Sequence, residues 1–423
     1  MSNLTAHQQQ KFNEVMSLIN NRKKRILLKG SAGVGKTWLV HTIVKRLSTV
    51  TKAKRVMCSA PTHKALSVIR TKVIVDEVKF TTLHSALHYR SITDKKTGER
   101  AFKSVPNKNW PPLNHIDYWI IDEASMVDSE MVKTIEECAE KQGTTVIFVG
   151  DGKQINPVGE DNSPVFYQEY PEVELTEIIR QGEANPIITL SRNISNIWDK
   201  QPNLLIGPEE QEVGYLYTQN LAKIIEELAK ANGTDEFKYL AWTNKEVDKI
   251  NSLVRRRIYG DYPAKIELEE TIVFDAPYGN YNTNEVVKVE ELYKYTMTMN
   301  LLLKKTLEAT ITEEAKFVVY CINKNILVLD DSSVPLFKRY ASIMNKNCKE
   351  DFLDFEHRNE FLSTFASFKY NHALTVHKSQ GSTYKTTVLN VRDINFNQNE
   401  KEKQRLFYTG VTRASNLLIL YNV

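Results

Sequence analysis

The chain has 423 residues, of which 41% are apolar and 26% are charged. This length favours about two to four domains, and the composition is that of a folded protein, which excludes disordered and collagen-like chains. No apolar stretch reaches the roughly 18 residues of a membrane span and the first residues lack an apolar leader, so we expect a soluble, cytoplasmic protein without a membrane partner. Zinc and disulfide frameworks are not expected, because the cysteines lie far apart, at Cys58, Cys138, Cys321 and Cys348.

The net charge is +4, but the charges are unevenly distributed. Residues 1–70 contain 14 Lys or Arg residues and a single acid, Glu14, whereas residues 71–423 contain 42 basic and 51 acidic residues. An excess of positive charge in one part of a chain is typical of proteins that bind a polyanion. Solvated helix faces account for the same charges, so a polyanion partner needs support from the motifs.

Residues 1–180 alternate short β-branched runs with helical stretches, which predicts a parallel α/β sheet. The pattern changes over residues 88–112, where Lys95–Gly98 predicts the turn of an inserted hairpin. The strands that we predict for the sheet are Arg25–Lys29, Lys54–Cys58, Tyr118–Asp122 and Thr144–Val149.

A second α/β pattern begins near Leu175 and is interrupted by a β-rich stretch. It resumes with Thr386–Val391 and ends with the predicted strand Asn416–Tyr421. We therefore predict two α/β sheet domains with two insertions. The predicted bounds are residues 1–87 and 113–174 for the first domain, 88–112 for the hairpin, 175–258 and 371–423 for the second domain, and 259–370 for a small β-rich module.

A phosphate-binding loop stands between the first predicted strand and a helix predicted over Trp38–Arg46. Its glycines let backbone N–H groups surround phosphates at a helix N-terminus. Lys36 is suited to the β- and γ-phosphates and Thr37 to Mg²⁺, so the segment predicts a nucleoside triphosphate site. The residues that match the pattern G-x-x-x-x-G-K-[ST] are Gly30, Ser31, Ala32, Gly33, Val34, Gly35, Lys36 and Thr37.

Two acids, Asp122 and Glu123, follow another apolar strand. Hydrolysis of a triphosphate requires a carboxylate near Mg²⁺ and a group that handles the attacking water. We expect Asp122 to hold the metal and Glu123 to act as general base, on a strand next to that of the phosphate loop. Gln154, in the polar loop Gly150–Gln154 after the next strand, is suited to sensing the γ-phosphate or orienting water.

The order of these segments resembles the motifs of superfamily 1 helicases, in particular the RecD-type, 5′→3′ branch that includes the Dda-like phage helicases. The resemblance extends over residues 4–415 but is weak over 88–112 and 259–370. It rests on nine segments in the family's order, which are Leu4–Gln8, Gly30–Thr37, Ala60–His63, Thr82–Ser85, Asp122–Met126, Gly150–Gln154, Leu175–Arg180, Leu374–Gly381 and Tyr408–Arg413.

The resemblance implies two RecA-like motor domains, with the hairpin as a pin and the β-rich module as an SH3-like domain. It implies that ATP and Mg²⁺ are the cofactors, that Gln8 reads adenine and that Gly381 lies at the nucleotide. Arg180 and Arg413 would reach the γ-phosphate from the second domain and neutralise charge in the transition state. Taken alone, Gln8 also fits an exposed residue of a glutamine-rich N-terminus.

The resemblance also implies contacts with the backbone of single-stranded DNA from hydroxyl, amide, imidazole and ammonium groups. Phe102, on the predicted hairpin, would stack against the last base pair of the duplex, unless it packs the hairpin onto its own domain. The expected backbone contacts are Pro61, Thr62, His63, Lys64, Thr82 and His84 from the first domain, and Asn244, Thr375, His377 and Lys378 from the second.

The sequence therefore predicts an ATP-dependent DNA helicase, an ATP hydrolase that translocates 5′→3′ on single-stranded DNA and unwinds duplexes in phage DNA replication or recombination. We expect a monomer in the host cytoplasm that acts at duplex junctions, with a single-strand-binding protein or other replication proteins as candidate partners. Two alternatives stay open. One is a helicase or remodelling ATPase that acts on RNA, and the other is a nucleotide-gated loading ATPase that binds nucleic acid without unwinding it.

Overall fold

The structure is a computed structural model that describes residues 4–51, 55–93, 100–104, 113–157, 159–160, 163–177, 185–207, 210–305 and 309–423. For residues 90–93 and 100–104 it describes the backbone only. Two features predicted from the sequence lie outside the described residues, namely the turn Lys95–Gly98 and Arg180.

The first part of the chain forms a parallel six-stranded sheet with helices on both faces, and its strands begin and end within two residues of the predicted ones. Its buried strands are rich in apolar residues on both faces, as is typical of parallel sheets. The elements in chain order are α1 (Ala6–Asn20), β1 (Arg25–Gly30), α2 (Lys36–Val50), β2 (Val56–Ala60), α3 (His63–Lys72), β3 (Lys79–Thr82), α4 (Leu83–Ala86), β4 (Tyr89–Thr93), β5 (Arg100–Ser104), β6 (Tyr118–Ile121), α5 (Ser129–Gln142), β7 (Thr145–Gly150) and β8 (Glu172–Leu175).

The strand order of this sheet corrects one prediction. The order is β3-β2-β6-β7-β1-β8, so β7 lies between the strand of the acids, β6, and the strand of the phosphate loop, β1. The prediction of direct neighbours was wrong, because strand order depends on the crossover connections and local sequence does not encode it. The carboxyl ends of the three parallel strands nevertheless meet at one edge, where ligands bind in open α/β sheets.

The hairpin pairs β4 with β5 and stands apart from the six-stranded sheet. The chain then enters the first half of the second sheet domain. The elements of that half are α6 (Pro186–Arg192), β9 (Asn203–Ile206), β10 (Glu212–Thr218), α7 (Leu221–Ala231), β11 (Phe237–Ala241) and α8 (Asn244–Tyr259).

The β-rich module follows α8 and consists of two three-stranded antiparallel sheets and two helices. A buried ion pair joins it to α8, since the Arg255 guanidinium lies 2.5 Å from the Glu270 carboxylate and 4.0 Å from the centre of the Tyr370 ring. The module elements are β12 (Thr271–Phe274), β13 (Val286–Lys288), β14 (Leu292–Lys305), β15 (Thr310–Ile322), β16 (Ile326–Leu329), α9 (Val334–Lys349), α10 (Phe355–Ser363) and β17 (Phe368–Tyr370).

The last residues return to the second sheet, whose order is β18-β11-β19-β20-β10-β9 and whose strands are parallel except for the edge strand β9. Two α/β sheets with inserted β segments confirm the predicted fold class. The domain bounds and the SH3-like character of the module stay predictions. The closing elements are β18 (Ala373–Thr375), β19 (Tyr384–Asn390), α11 (Val391–Asn395), α12 (Glu400–Val411) and β20 (Ala414–Tyr421).

Candidate nucleotide site and strand cavity

The phosphate loop curls between β1 and α2, and two of its glycines allow that path. Gly33 and Gly35 have φ angles of 83° and 79°, in the left-handed region that favours glycine. The ammonium group of Lys36 donates to the carbonyl oxygens of Gly30 (2.7 Å) and Ser31 (3.0 Å). Lys36 is therefore held inside the loop at the N-terminus of α2, where a phosphate charge is favoured.

Asp122 and Glu123 follow β6 at the same edge of the sheet. The N–H group of Glu123 donates to the Asp122 carboxylate (2.9 Å). Burial raises the pKa of both carboxyl groups, and the pKa of Glu123 rises to about 7 because the charge of Asp122 adds to the effect of burial. Arg413 and Lys36 act in the opposite direction on Glu123. A carboxylate with a pKa near neutrality is suited to general base catalysis.

Arg413 comes from the second sheet domain and lies close enough to Glu123 to influence its pKa. The Arg413 side chain is buried, and its guanidinium group donates to the backbone oxygens of Thr409 (3.0 Å) and Ser382 (3.0 Å) and to the Thr412 hydroxyl (3.1 Å). These partners are uncharged, so the positive charge is not neutralised by them. The cleft between the two sheet domains therefore receives positive charge from both sides.

The loop after β7 carries Gln154 and is held by helix α12 of the second domain. Gln154 is 4% exposed, and its amide oxygen has no partner among the described residues. Arg405 donates to the carbonyl oxygens of Gly152 (3.2 Å) and Gln154 (2.9 Å), and the Thr409 hydroxyl accepts the N–H of Ile155 (3.2 Å). A buried amide oxygen without a partner is costly, which fits a position that awaits a ligand.

Gln8 is buried, in contrast to the exposed alternative that the sequence left open. It forms a capping box with Thr5, in which the Gln8 amide oxygen accepts the Thr5 N–H (3.2 Å) and the Thr5 hydroxyl accepts the Gln8 N–H (3.2 Å). The Gln8 amide nitrogen has no partner in the described part of the chain. Helix α1 packs against β8, which pairs with the phosphate-loop strand, and a contact of this N–H group with adenine stays a prediction.

The residues at the phosphate loop fit a magnesium ion. Thr37 lies in the first turn of α2, and Asp122 follows β6 at the same edge of the sheet. A hydroxyl and a carboxylate oxygen, completed by phosphate oxygens and water, are ligands that Mg²⁺ prefers. In the described ranges, no group of three or more His, Cys, Asp or Glu side chains could hold a metal ion.

A cavity of about 380 Å³ lies between the two sheet domains and the β-rich module, and we call it the strand cavity. Residues of both halves of the predicted DNA contact set line it. From the first domain these are Thr62 and Lys64, from the second His377 and Lys378, and from the module Val273, Asn284 and Val286.

Both lysines of the strand cavity have acidic partners. The Lys64 ammonium lies 3.5 Å from the Asp235 carboxylate and 4.9 Å from the centre of the Tyr384 ring. The Lys378 ammonium donates to the Asp275 carboxylate (2.6 Å). Each ammonium group is therefore paired with a carboxylate. A phosphate that entered the strand cavity could take the place of that carboxylate.

The predicted threonine contacts stabilise local backbone turns. The hydroxyl oxygens of Thr62 and Thr82 cap α3 and α4, where they accept the N–H groups three residues ahead (3.2 and 3.3 Å). The Thr375 hydroxyl accepts the N–H of Lys378 (3.3 Å). These hydroxyl groups thus orient the segments that carry the lysines and histidines, a role that the sequence did not indicate.

Six of the predicted backbone contacts do not line the strand cavity, namely Thr82, Thr375, Pro61, His63, Asn244 and His84. Pro61 is half-buried and precedes α3, and His63 is the exposed first residue of that helix. Asn244 is exposed at the start of α8. His84 is half-buried in α4, where its ring meets the edge of Tyr89 (5.5 Å between ring centres) and burial lowers its pKa.

Gly381 and Phe102 complete the predicted set. Gly381 has a φ angle of 70° and lies against α3, where an added Cβ would be 2.9 Å from the Cβ of Ala65. Its neighbour across the cleft is thus α3, and its place at the nucleotide stays a prediction. Phe102 pairs with Ser91 in the backbone register of the hairpin, but its side chain lies outside the description.

The structure adds residues that sequence reasoning missed. The Asp393 carboxylate accepts the N–H groups of Trp242 (2.7 Å) and Thr243 (2.8 Å) and so holds the turn before α8, a contact that no sequence pattern indicates. Arg405 and Tyr408 of α12 contact the first domain. Their spacing of three residues puts them on one helix face shortly before a predicted site residue, which is a signal that could have found them.

Two family models match the chain, an AAA domain over residues 3–198 and a UvrD-like helicase C-terminal domain over residues 370–421. The ATP-dependent DNA helicase dda of Enterobacteria phage T4 is 27% identical, over 97% of this chain and 97% of the relative. The RecBCD subunit RecD of Buchnera aphidicola is 27% identical, over 98% of this chain and 73% of the relative. Along nearly its whole length, the chain is therefore similar to the Dda and RecD helicases of superfamily 1.

Further relatives also match nearly the whole chain. A protein of Acanthamoeba polyphaga mimivirus is 25% identical over 97% of this chain and 98% of its own length. Among solved structures, Pif1 helicases share the fold of this chain. One from Bacteroides, in complex with ADP-AlF3 and single-stranded DNA, has a TM-score of 0.50 and 18% identity over 100% of this chain and 93% of its own. A Pif1 structure that concerns unwinding at forked DNA has a TM-score of 0.53 and 17% identity, over 99% of this chain and 92% of its own.

In the described part of the chain, no helix combines the length and the apolar character needed to cross a membrane.

Proposed function

We propose that this helicase is an ATP-driven motor that translocates 5′→3′ along single-stranded DNA and unwinds duplex DNA in phage or viral replication or recombination. One observation carries the proposal: helix α12 contacts both the phosphate loop, through Tyr408, and a residue that lines the strand cavity, through Glu402. On α12, Arg405 holds the loop of Gln154, and the Glu402 carboxylate lies 3.6 Å from His377 of the strand cavity. Closure of the cleft around ATP must therefore change the grip on the strand, which is the requirement for stepping.

In the nucleotide site, the free amide N–H of Gln8 recognises adenine, and the phosphate loop with Lys36 binds the phosphates. Thr37 and Asp122 would hold Mg²⁺, which would neutralise negative charge on the phosphates. Glu123 accepts a proton from the attacking water, and its raised pKa matches that role because a base near the operating pH transfers protons most effectively.

Three further residues act on the γ-phosphate side of the cleft. The unpaired amide oxygen of Gln154 orients the attacking water by accepting a hydrogen bond from it. Arg413 stabilises the charge that develops on the γ-phosphate, and Arg180 shares this role. Because Arg413 comes from the second domain, hydrolysis is efficient only when the cleft is closed.

On the strand side, Lys64 and Lys378 exchange the carboxylates of Asp235 and Asp275 for backbone phosphates. This exchange keeps each ammonium group paired, and it makes binding weaker at high salt because counterions return to the DNA. Phe102 supports the separated strands by stacking on a base, with a contribution of roughly 1–3 kcal/mol. The remaining backbone contacts are Pro61, Thr62, His63, Thr82, His84, Asn244, Thr375 and His377.

Both walls of the cleft come from one chain, which supports action as a monomer at duplex junctions. The phage and viral relatives support a place in the host cytoplasm and in DNA replication or recombination. A single-strand-binding protein is the partner that we expect there, because such a protein covers the strands that a helicase releases.

The proposal is tested by ATP hydrolysis with and without single-stranded DNA and with single-stranded RNA. We expect DNA to raise turnover at least about tenfold and RNA to raise it less, since strand binding favours cleft closure. Lys378→Gln should raise the DNA concentration for half-maximal stimulation and reduce the salt dependence of binding by about one phosphate contact. Lys230→Gln, which removes an exposed lysine paired with Glu227 on α7, is the matched control.

Equal hydrolysis with and without nucleic acid would contradict the proposal. A larger stimulation by RNA would identify an RNA-directed motor instead.

A further inference from the structure

Helix α12 presents one face to the first domain and to a residue that lines the strand cavity. Residues three and four apart in a helix share a face. At one end of this face, Glu402 lies 3.6 Å from His377, which lines the strand cavity. Further along, the helix holds the loop of Gln154. The face, which we call the coupling face, consists of Glu402, Arg405, Tyr408 and Thr409.

Tyr408 of the coupling face also contacts the phosphate loop. Its hydroxyl accepts the N–H of Ala32 (3.0 Å) and donates to the carboxylate of Asp151. Tyr408 is 3% exposed and Asp151 is 2% exposed, so both hydrogen bonds are shielded from water. Burial, reinforced by the Asp151 carboxylate, raises the pKa of the Tyr408 phenol, so the hydroxyl stays protonated and serves as donor and acceptor at once.

Asp151 connects this hydroxyl to the turn that positions Gln154. Its second carboxylate oxygen accepts the N–H of Lys153 (3.0 Å), and its backbone oxygen accepts the N–H of Gln154 (3.2 Å). A buried carboxylate that loses a hydrogen bond is strongly destabilised, so the turn depends on the Tyr408 hydroxyl. One hydroxyl group therefore joins the phosphate loop, the loop of Gln154 and the second domain.

We propose that Tyr408 is a positioning residue that couples the phosphate loop to the loop of Gln154 and transmits strand binding along α12 to ATP hydrolysis. This inference rests on the proposed function, because it assigns a role in DNA-stimulated turnover. Removal of the hydroxyl leaves the contacts of Arg405 and Thr409 intact, so the domains stay docked. The effect falls on the alignment of Gln154 with the phosphates, and thus on kcat more than on the binding of ATP.

The test compares Tyr408→Phe with Tyr217→Phe. The Tyr217 hydroxyl donates to the backbone oxygen of Asn196 (3.2 Å) inside the second domain, so its removal is a control for the loss of a tyrosine hydroxyl away from the cleft. With saturating single-stranded DNA, we expect Tyr408→Phe to lower kcat about tenfold and to change the KM for ATP less than about threefold. Hydrogen exchange of residues 151–156 without nucleotide should be faster in Tyr408→Phe and unchanged in Tyr217→Phe.

The double variant Tyr408→Phe/Asp151→Asn separates coupling from general damage. If the two side chains act as one unit, the double variant should be no slower than the slower single variant. Multiplicative losses in kcat, or exchange and kcat equal to those of the wild type in Tyr408→Phe, would overturn the inference. If the wild type itself lacked DNA stimulation, the proposed function would fail, and the exchange of residues 151–156 would still decide whether the hydroxyl holds the loop.

Discussion

Replacement of Gly381 by Ala tests how closely the two sheet domains approach each other. Gly381 has a φ angle of 70°, where an L-residue is disfavoured by roughly 1–2 kcal/mol. The new methyl group would lie 2.9 Å from the Cβ and 3.3 Å from the Cα of Ala65, which is buried in α3 and cannot move without the helix. Such overpacking costs about 1–3 kcal/mol. The backbone strain reduces the stability of the second domain, whereas the overpacking opposes the docking of the two domains.

We therefore expect Gly381→Ala to lower the free energy of unfolding by about 1–2 kcal/mol and to slow DNA-stimulated hydrolysis about tenfold, since roughly 1.4 kcal/mol corresponds to a factor of ten. Adding Ala65→Gly removes the 2.9 Å contact with the Cβ of residue 65, which is the most severe one, but keeps the 3.3 Å contact with its Cα and the backbone strain. The double variant should regain most of the hydrolysis but none of the stability, because Gly within a helix itself costs about 1 kcal/mol. A wild-type rate in Gly381→Ala, or a double variant as slow as the single one, would refute the clash between the domains.

Four further predictions concern other parts of the chain. Lys36→Ala should abolish ATP hydrolysis but keep nucleotide-free strand binding. Glu123→Gln should keep ATP binding but hydrolyse ATP at least about 100-fold more slowly. ATPase and DNA-binding assays check both variants, and near-normal turnover in either one would contradict the role of that residue. Arg255→Ala should lower the free energy of unfolding by about 3–5 kcal/mol, measured by urea titration, because it leaves the Glu270 carboxylate buried and unpaired. A loss below about 1 kcal/mol, which is typical of exposed ion pairs, would contradict this prediction. Burial and nearby positive charges lower the pKa of His372 to about 3. As the pH falls below about 6.5, this imidazole is therefore protonated in the unfolded chain but stays neutral in the folded chain. Stability should thus drop by roughly 2 kcal/mol between pH 7 and pH 5, and unfolding titrations should show a weaker drop in His372→Leu than in the wild type.

Local sequence predicted the features that short segments determine by themselves. The phosphate loop follows from glycines that reach positive φ angles and from a lysine at the start of a helix. The predicted strand Arg25–Lys29 is observed as Arg25–Gly30, and Thr144–Val149 as Thr145–Gly150, because buried parallel strands are continuous apolar runs.

Contacts between distant segments were not predictable in the same way. Tyr408 meets Ala32 across 376 positions, and Lys378 meets Asp275 across 103. No local pattern relates such residues, since the folding of two domains and a module around one cleft brings them together. For the same reason the sequence indicated Lys378 as a contact but not Asp275, the acid that pairs with it.

Strand displacement on duplexes with a single-stranded tail at either the 5′ or the 3′ end tests the central claim most directly. We expect this helicase to release the displaced strand from the 5′-tailed duplex only, in a reaction that requires ATP and is lost in Lys36→Ala. Release from the 3′-tailed duplex alone would contradict the polarity, and ATP hydrolysis without release from either duplex would contradict unwinding.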